Sequence, residues 1–213
     1  CHYGKQIRDP VNTILIDFKE FLTNKNKIKT KLWEDFKVDS LTAGNDFDEP
    51  VTWATAVGKL LELIYEDNKK EKIVAQFHEW LSGVALLYLK KNKVKIATVF
   101  TTHATTLGRT LTGSGIDLYN IINKINPTQE AYKHGIQAKH QVEEACSLHA
   151  EVFTTVSEIT ALETKYILKK EPDLIGPGAI TKIAINLLKG PIIRKVLPKI
   201  NQINPLFLLA SFR

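Results

Sequence analysis

Short apolar, β-branched runs recur along this chain with helical segments between them, and that alternation constrains its fold more than any other feature. The runs lie at 11–18, 71–77, 95–102, 151–156 and 173–175. Residues 52–68 carry Ala56, Leu60, Leu63 and Ile64 at helical spacing, with Thr52 as the expected cap. Residues 79–91 carry Leu81, Val84, Ala85 and Leu89 in the same way, with Lys90 and Lys91 in the last turn, where cations complement the helix dipole. Strands spaced by about 25 residues or more, with helices between, predict βαβ units and an α/β fold around a parallel sheet.

The remaining segments are read more coarsely. Residues 19–45 suggest a loop with a short helix anchored by Trp33 and Phe36, and residues 45–50 an acidic turn. Residues 107–115, with Gly108, Gly113 and Gly115, are expected to end in a flexible turn, and 116–125 suggest a helix. Asn126-Pro127-Thr128 marks a break with Thr128 as a cap. Residues 129–150 suggest one long polar helix exposed on most faces, and Ser157 caps a helix over 157–170.

Composition excludes several classes. The lysines that give the net charge of +6 are scattered in small groups separated by acidic residues, the pattern of a solvated surface. Cys1 and Cys146 have no paired spacing, which argues against a disulfide framework or a zinc site and fits a reducing compartment. No run is long and apolar enough to span a bilayer. The chain contains no methionine and is expected to be an internal piece of a longer protein. His134 and His140 fall on different faces of a helix, and Cys146 with His149 is an incomplete ligand pair, so neither suggests a metal centre.

Candidate chemistry gathers where the strands end. The run 96–100 breaks into Thr101-Thr102-His103-Ala104-Thr105 and then Gly108-Arg109. His78 stands at the end of the preceding strand. In a parallel sheet both ends point to one edge, where ligands of open α/β folds bind. Two imidazoles and a guanidinium there suit an anionic, oxygen-rich ligand such as a sugar nucleotide, because Arg matches phosphate oxygens bidentately. No P-loop, GxGxxG, HExxH or GxSxG motif is present.

Three stretches then resemble one family. They are Phe77-His78-Glu79-Trp80-Leu81-Ser82-Gly83-Val84-Ala85, the stretch Val99-Phe100-Thr101-Thr102-His103-Ala104-Thr105-Thr106-Leu107-Gly108-Arg109, and Val152-Phe153-Thr154-Thr155-Val156-Ser157-Glu158-Ile159-Thr160-Ala161-Leu162-Glu163. In this order they resemble the HFHEWLAGV, FTTHATLLGR and VFTTVSxITAxE patterns of animal and fungal glycogen synthases. Tyr3-Gly4-Lys5, Leu32-Trp33 and Lys170-Glu171-Pro172-Asp173 extend the likeness. Departures are Gln76 for the first histidine of HFHEW, Lys5-Gln6 after Tyr3-Gly4, and Gly176-Pro177-Gly178-Ala179 in place of the family's TPNG turn.

The resemblance implies a Rossmann-like parallel sheet forming part of the N-terminal lobe of a GT-B glycosyltransferase. On that basis residues 1–175 are the partial lobe and 176–213 an unmatched basic, proline-containing apolar tail. It further implies retaining transfer of glucose from UDP-glucose to the non-reducing end of an α-1,4-glucan, with no metal and no other cofactor. The fragment alone is expected to be inactive. Carried over, His103 and Arg109 bind UDP-glucose, with Arg109 at the diphosphate, and His78 lines the cleft edge. Glycogen, glycogenin, glucose 6-phosphate and a homo-oligomer are the implied partners, and the cytoplasm the implied location. A non-catalytic module binding a sugar nucleotide or polysaccharide is the alternative. A nucleic-acid or membrane-binding tail ranks below both, since the aromatic interleaving of a nucleic-acid platform is absent.

Overall fold

The computed structural model describes residue 14, residues 16–176 and a strand at 207–210. In chain order the elements are α1 (Lys19–Leu22), α2 (Lys25–Phe36), α3 (Asn45–Asp67), β1 (Val74–His78), α4 (Glu79–Lys91), β2 (Ala97–Thr102), α5 (Thr106–Gly113), α6 (Leu118–Ile121), α7 (Pro127–Lys133), α8 (Gln137–His149), β3 (Val152–Thr155), α9 (Glu158–Glu163), β4 (Leu174–Ile175) and β5 (Phe207–Ala210). A π-helical turn, Thr164–Leu168, extends α9.

The expected parallel sheet is present. Its order is β4-β3-β2-β1-β5, and every pairing is parallel. The register sets His78 opposite Thr101 and Thr102 opposite Thr155, so the carboxyl ends of three strands finish together. The inner strands are buried nearly throughout, as expected when a sheet is covered rather than left wet on one face. Buried polar residues are matched across strands: Gln76 Nε2 donates to Thr101 Oγ1 at 2.9 Å, and the Thr101 and Thr154 hydroxyls lie 2.8 Å apart. The hydrogen bonds offset the cost of taking these groups from water.

Helix α4 is the hub of the core. It begins and ends where its pattern predicts and packs against α3 and α8. Its contact with α8 is close: a Cβ on Gly83 would stand 2.5 Å from Cys146 Sγ. Its last turn is tied by Lys90 to Glu151 and by Lys91 to Asp35.

Several elements depart from the sequence pattern. Helix α3 starts at Asn45 rather than Thr52, because Phe47 stacks on Trp80 with ring centroids 5.7 Å apart and Asp48 is sealed between two lysines. These contacts carry the helix through Pro50. Thr52 lies inside the helix, and its hydroxyl donates to the Asp48 carbonyl at 2.5 Å. In α2, Lys29 and Leu32 are the buried anchors, while Trp33 is exposed. The glycine-rich stretch after His103 is helix α5, capped by Thr105 Oγ1, which accepts from Gly108 N at 2.9 Å. Asn126, not Thr128, caps α7 by accepting from Gln129 N at 3.2 Å.

The expected long polar helix is two, α7 and α8, separated at Gly135, whose φ is 67°. Helix α8 buries Ala138, His140, Val142, Glu143, Ala145, Cys146 and Ser147. Ser157 caps α9 as expected, accepting from Thr160 N at 3.2 Å. Of the expected strand at 11–18, residues 11–13 and 15 lie outside the described residues, and 16–18 form no strand. The Tyr3-Gly4-Lys5 stretch and most of 176–213 also lie outside them.

Candidate functional site

The expected residues do converge. His78 ends β1, His103 follows β2, and Arg109 sits one turn into α5. His78 Nδ1 and His103 Nε2 are 2.8 Å apart, so one nitrogen donates and the other accepts. The two rings, with centroids 5.1 Å apart, therefore share one hydrogen between them. Burial, and then the neighbouring His103, hold the His78 pKa below its ordinary value. The outer ring nitrogens, His78 Nε2 and His103 Nδ1, face away from this shared hydrogen bond.

Glu79 links the parts, and sequence reasoning passed over it. Its Oε1 accepts from His103 N at 2.9 Å and from Arg109 Nη2 at 3.1 Å. Arg109 also approaches the Ala104 carbonyl at 3.5 Å through Nε. Glu79 takes the left-handed backbone conformation, with φ of 61°, at the junction of β1 and α4. A non-glycine residue there costs about 1 kcal/mol or more, and such strain gathers at functional sites. Its carboxylate also opens α4, where the helix dipole favours negative charge. The available sequence signal was an acidic residue directly after a strand-ending histidine.

From the other side, Thr160 Oγ1 donates to the His103 carbonyl at 3.0 Å. Thr160 stands where a capping box would have Glu or Gln, and it is the second residue missed. Ser82 Oγ donates to the His78 carbonyl at 2.7 Å. Backbone and side chains of the site are thus held from α4, α5 and α9 together.

The Arg109–Glu79 pair is open to water, with side-chain exposures of 59% and 17%. An ion pair this accessible contributes about 0–1 kcal/mol. Chemically, the edge offers a guanidinium, two imidazoles and a carboxylate.

Among the described residues no group of three or more His, Cys, Asp or Glu side chains is placed to hold a metal ion. No described helix is long and apolar enough to cross a membrane. A groove of about 400 Å³ lies on another face, between α2, α3 and α4, with Ile28, Leu32, Val84 and Tyr88 among its walls.

The parallel sheet and the cationic edge at its carboxyl ends define a Rossmann-like lobe. The sequence profile of the glycogen synthase family matches residues 1–189, and the chain belongs to that family. It is 37% identical over 180 residues to the glycogen [starch] synthase of Dictyostelium discoideum, covering 84% of this chain and 20% of that protein. It is 35% identical to the human liver glycogen [starch] synthase over 84% of this chain and 26% of that protein. To isoform 2 of Saccharomyces cerevisiae it is 37% identical, over 85% of this chain and 26% of that protein. The chain therefore spans a fifth to about a quarter of the length of these relatives.

Proposed function

We propose that this chain is part of an enzyme that transfers glucose from UDP-glucose to the non-reducing end of an α-1,4-glucan, and that the edge formed by His78, Glu79, His103 and Arg109 takes the donor. The observation that carries the reading is the convergence of these four side chains where three parallel strands end. Family membership and the printed names of the relatives support the reaction class.

In this reading Arg109 leaves Glu79 for the diphosphate. Its charge lowers the energy of the UDP leaving group as the glycosidic bond breaks. His103, tied through its main chain to Glu79 and Thr160, presents its ring to the glucose. His78 fixes which His103 nitrogen carries the proton, since the hydrogen shared between the rings couples their tautomers. Hydrogen bonds aimed in advance at the reacting group lower the barrier because they need no reorganisation during the reaction.

The donor's uridine, the glucan, glycogenin and glucose 6-phosphate would meet parts of the whole enzyme beyond this lobe. A homo-oligomer, a cytoplasmic setting and chemistry without a metal belong to the same proposal. The test is direct: join this chain to the remainder of a glycogen synthase polypeptide and follow labelled glucose from UDP-glucose into glycogen. Incorporation that depends on UDP-glucose is expected. A folded, UDP-glucose-binding product that transfers nothing to glycogen would favour a binding module instead.

A further inference from the structure

The short segment joining His103 to Arg109 is gripped from beneath by two buried carboxyl groups. Glu163, at the end of α9 and 7% exposed, accepts through Oε2 from Thr105 N at 3.0 Å and from Thr105 Oγ1 at 3.1 Å. Its Oε1 accepts from the Tyr119 hydroxyl at 2.9 Å. Thr105 Oγ1 passes the chain of bonds on, accepting from Gly108 N at 2.9 Å. Glu143, fully buried on α8, accepts through Oε2 from Thr106 N at 2.8 Å.

The fit around Glu163 is tight enough to dictate a residue. A Cβ on Gly108 would stand 2.7 Å from Glu163 Oε2 and 2.7 Å from Thr105 Oγ1. Only glycine lets the first turn of α5 settle onto the carboxylate. Three amides at the start of α5, those of Thr105, Thr106 and Gly108, are consequently committed to protein acceptors. An anion at that helix start would meet two carboxyl groups instead of free N–H donors, so anion recognition falls to the Arg109 side chain. Where that side chain points depends on how α5 begins, and so on Glu163.

We propose that Glu163 is a positioning residue for the sugar-nucleotide site: with Glu143 holding the adjacent Thr106 amide, it seats the first turn of α5 and thereby aims His103 and Arg109. The inference rests on reading this edge as the donor site. It goes further by assigning a role to a buried side chain that touches no ligand.

The experiment uses the 213-residue chain and its Glu163→Ala and Glu163→Gln variants. The readouts are the 15N signals of the His78 and His103 rings, amide exchange at Thr105 and Gly108, and the melting temperature. Glu163→Ala should speed exchange at both amides by about tenfold or more and shift the His103 ring signals as the 2.8 Å contact with His78 loosens. Glu163→Gln should restore both, because its carbonyl can face Thr105 while its NH₂ donates to the Tyr119 oxygen. If Glu163→Ala does not fold, Gly108→Ala displaces the carboxylate without removing it and should shift the same ring signals.

Unchanged ring signals in a folded Glu163→Ala or Gly108→Ala variant would overturn the proposal, even with a lower melting temperature. That result would leave Glu163 as a structural cap only. The underlying reading is separated by kcat/KM for UDP-glucose of Arg109→Ala in this chain joined to the remainder of the enzyme. A near-wild-type value there, while His103 still responds to Glu163→Ala, would count against the donor site and for the seating of α5.

Discussion

Two cation–carboxylate pairs stand in different parts of this molecule, and their surroundings give them opposite roles. Lys29 and Asp48, 2.9 Å apart, are sealed, with side-chain exposures of 5% and 6%. Asp48 also pairs with Lys25 at 2.9 Å, and Lys29 donates to the Ala43 carbonyl at 2.8 Å. Burial pushes the Asp48 carboxyl up, but hydrogen bonds and charge from Lys25 and Lys29 outweigh it and hold the pKa below its ordinary value. Arg109 and Glu79 are 3.1 Å apart, with the arginine mostly in water. The first pair locks α2 to the start of α3. The second holds a guanidinium at the sheet edge within reach of solvent.

Breaking the sealed pair should have the largest effect. Asp48→Asn leaves Lys29 buried opposite a neutral group, and a loss of about 3–5 kcal/mol in unfolding free energy is expected from denaturant titration. A loss below about 1 kcal/mol would place the pair among ordinary surface contacts. The exposed pair should behave the other way. Glu79→Gln keeps an oxygen for His103 N, and its stability should stay within about 1 kcal/mol of wild type.

Between these extremes lies Glu143, which is buried with no cation in ion-pair contact among the described residues. Burial, and then the nearby Glu79, raise its pKa to about 8, against hydrogen bonds from Thr106 and the charge of Arg109. Its folded pKa lies above its unfolded one, so the folded state binds the extra proton. The stability it contributes is full below the ordinary carboxyl range and is lost as pH rises toward about 8. Glu143→Gln should therefore lose less melting temperature than wild type between pH 6 and 8.5. Parallel curves for the two proteins would contradict the assignment.

Much of this fold could be read from the sequence wherever pattern and burial agree. Helix α4 and strands β1 to β3 are apolar, regular and bounded by polar residues, so local reading finds them. Reading failed where tertiary contacts override composition. Pro50 and the acids around it look like a turn, yet Phe47 on Trp80 and Asp48 on Lys29 hold them in α3. Helix α8 looks like a surface helix because His140 and Glu143 are polar, yet both are buried. Burial drives the His140 pKa down to about 4, so it stays neutral inside. Gly108 looks like a turn residue, whereas the contact with Glu163 explains it.

The candidate site divides along the same line. His78, His103 and Arg109 stood out because strand ends of a parallel sheet are where ligands bind. Glu79 and Thr160 did not, because their roles come from a left-handed backbone and from contacts across 24 and 57 residues of sequence. No local pattern encodes either.

In the proposed function Arg109 is held for a diphosphate and contributes little to stability. The measurement that tests it most directly is kcat/KM for UDP-glucose of Arg109→Ala in the completed enzyme, read beside its melting temperature. A loss of about 10²–10³-fold, or about 3–4 kcal/mol in transition-state binding, is expected, with the melting temperature nearly unchanged. A near-wild-type kcat/KM in a folded variant would contradict it.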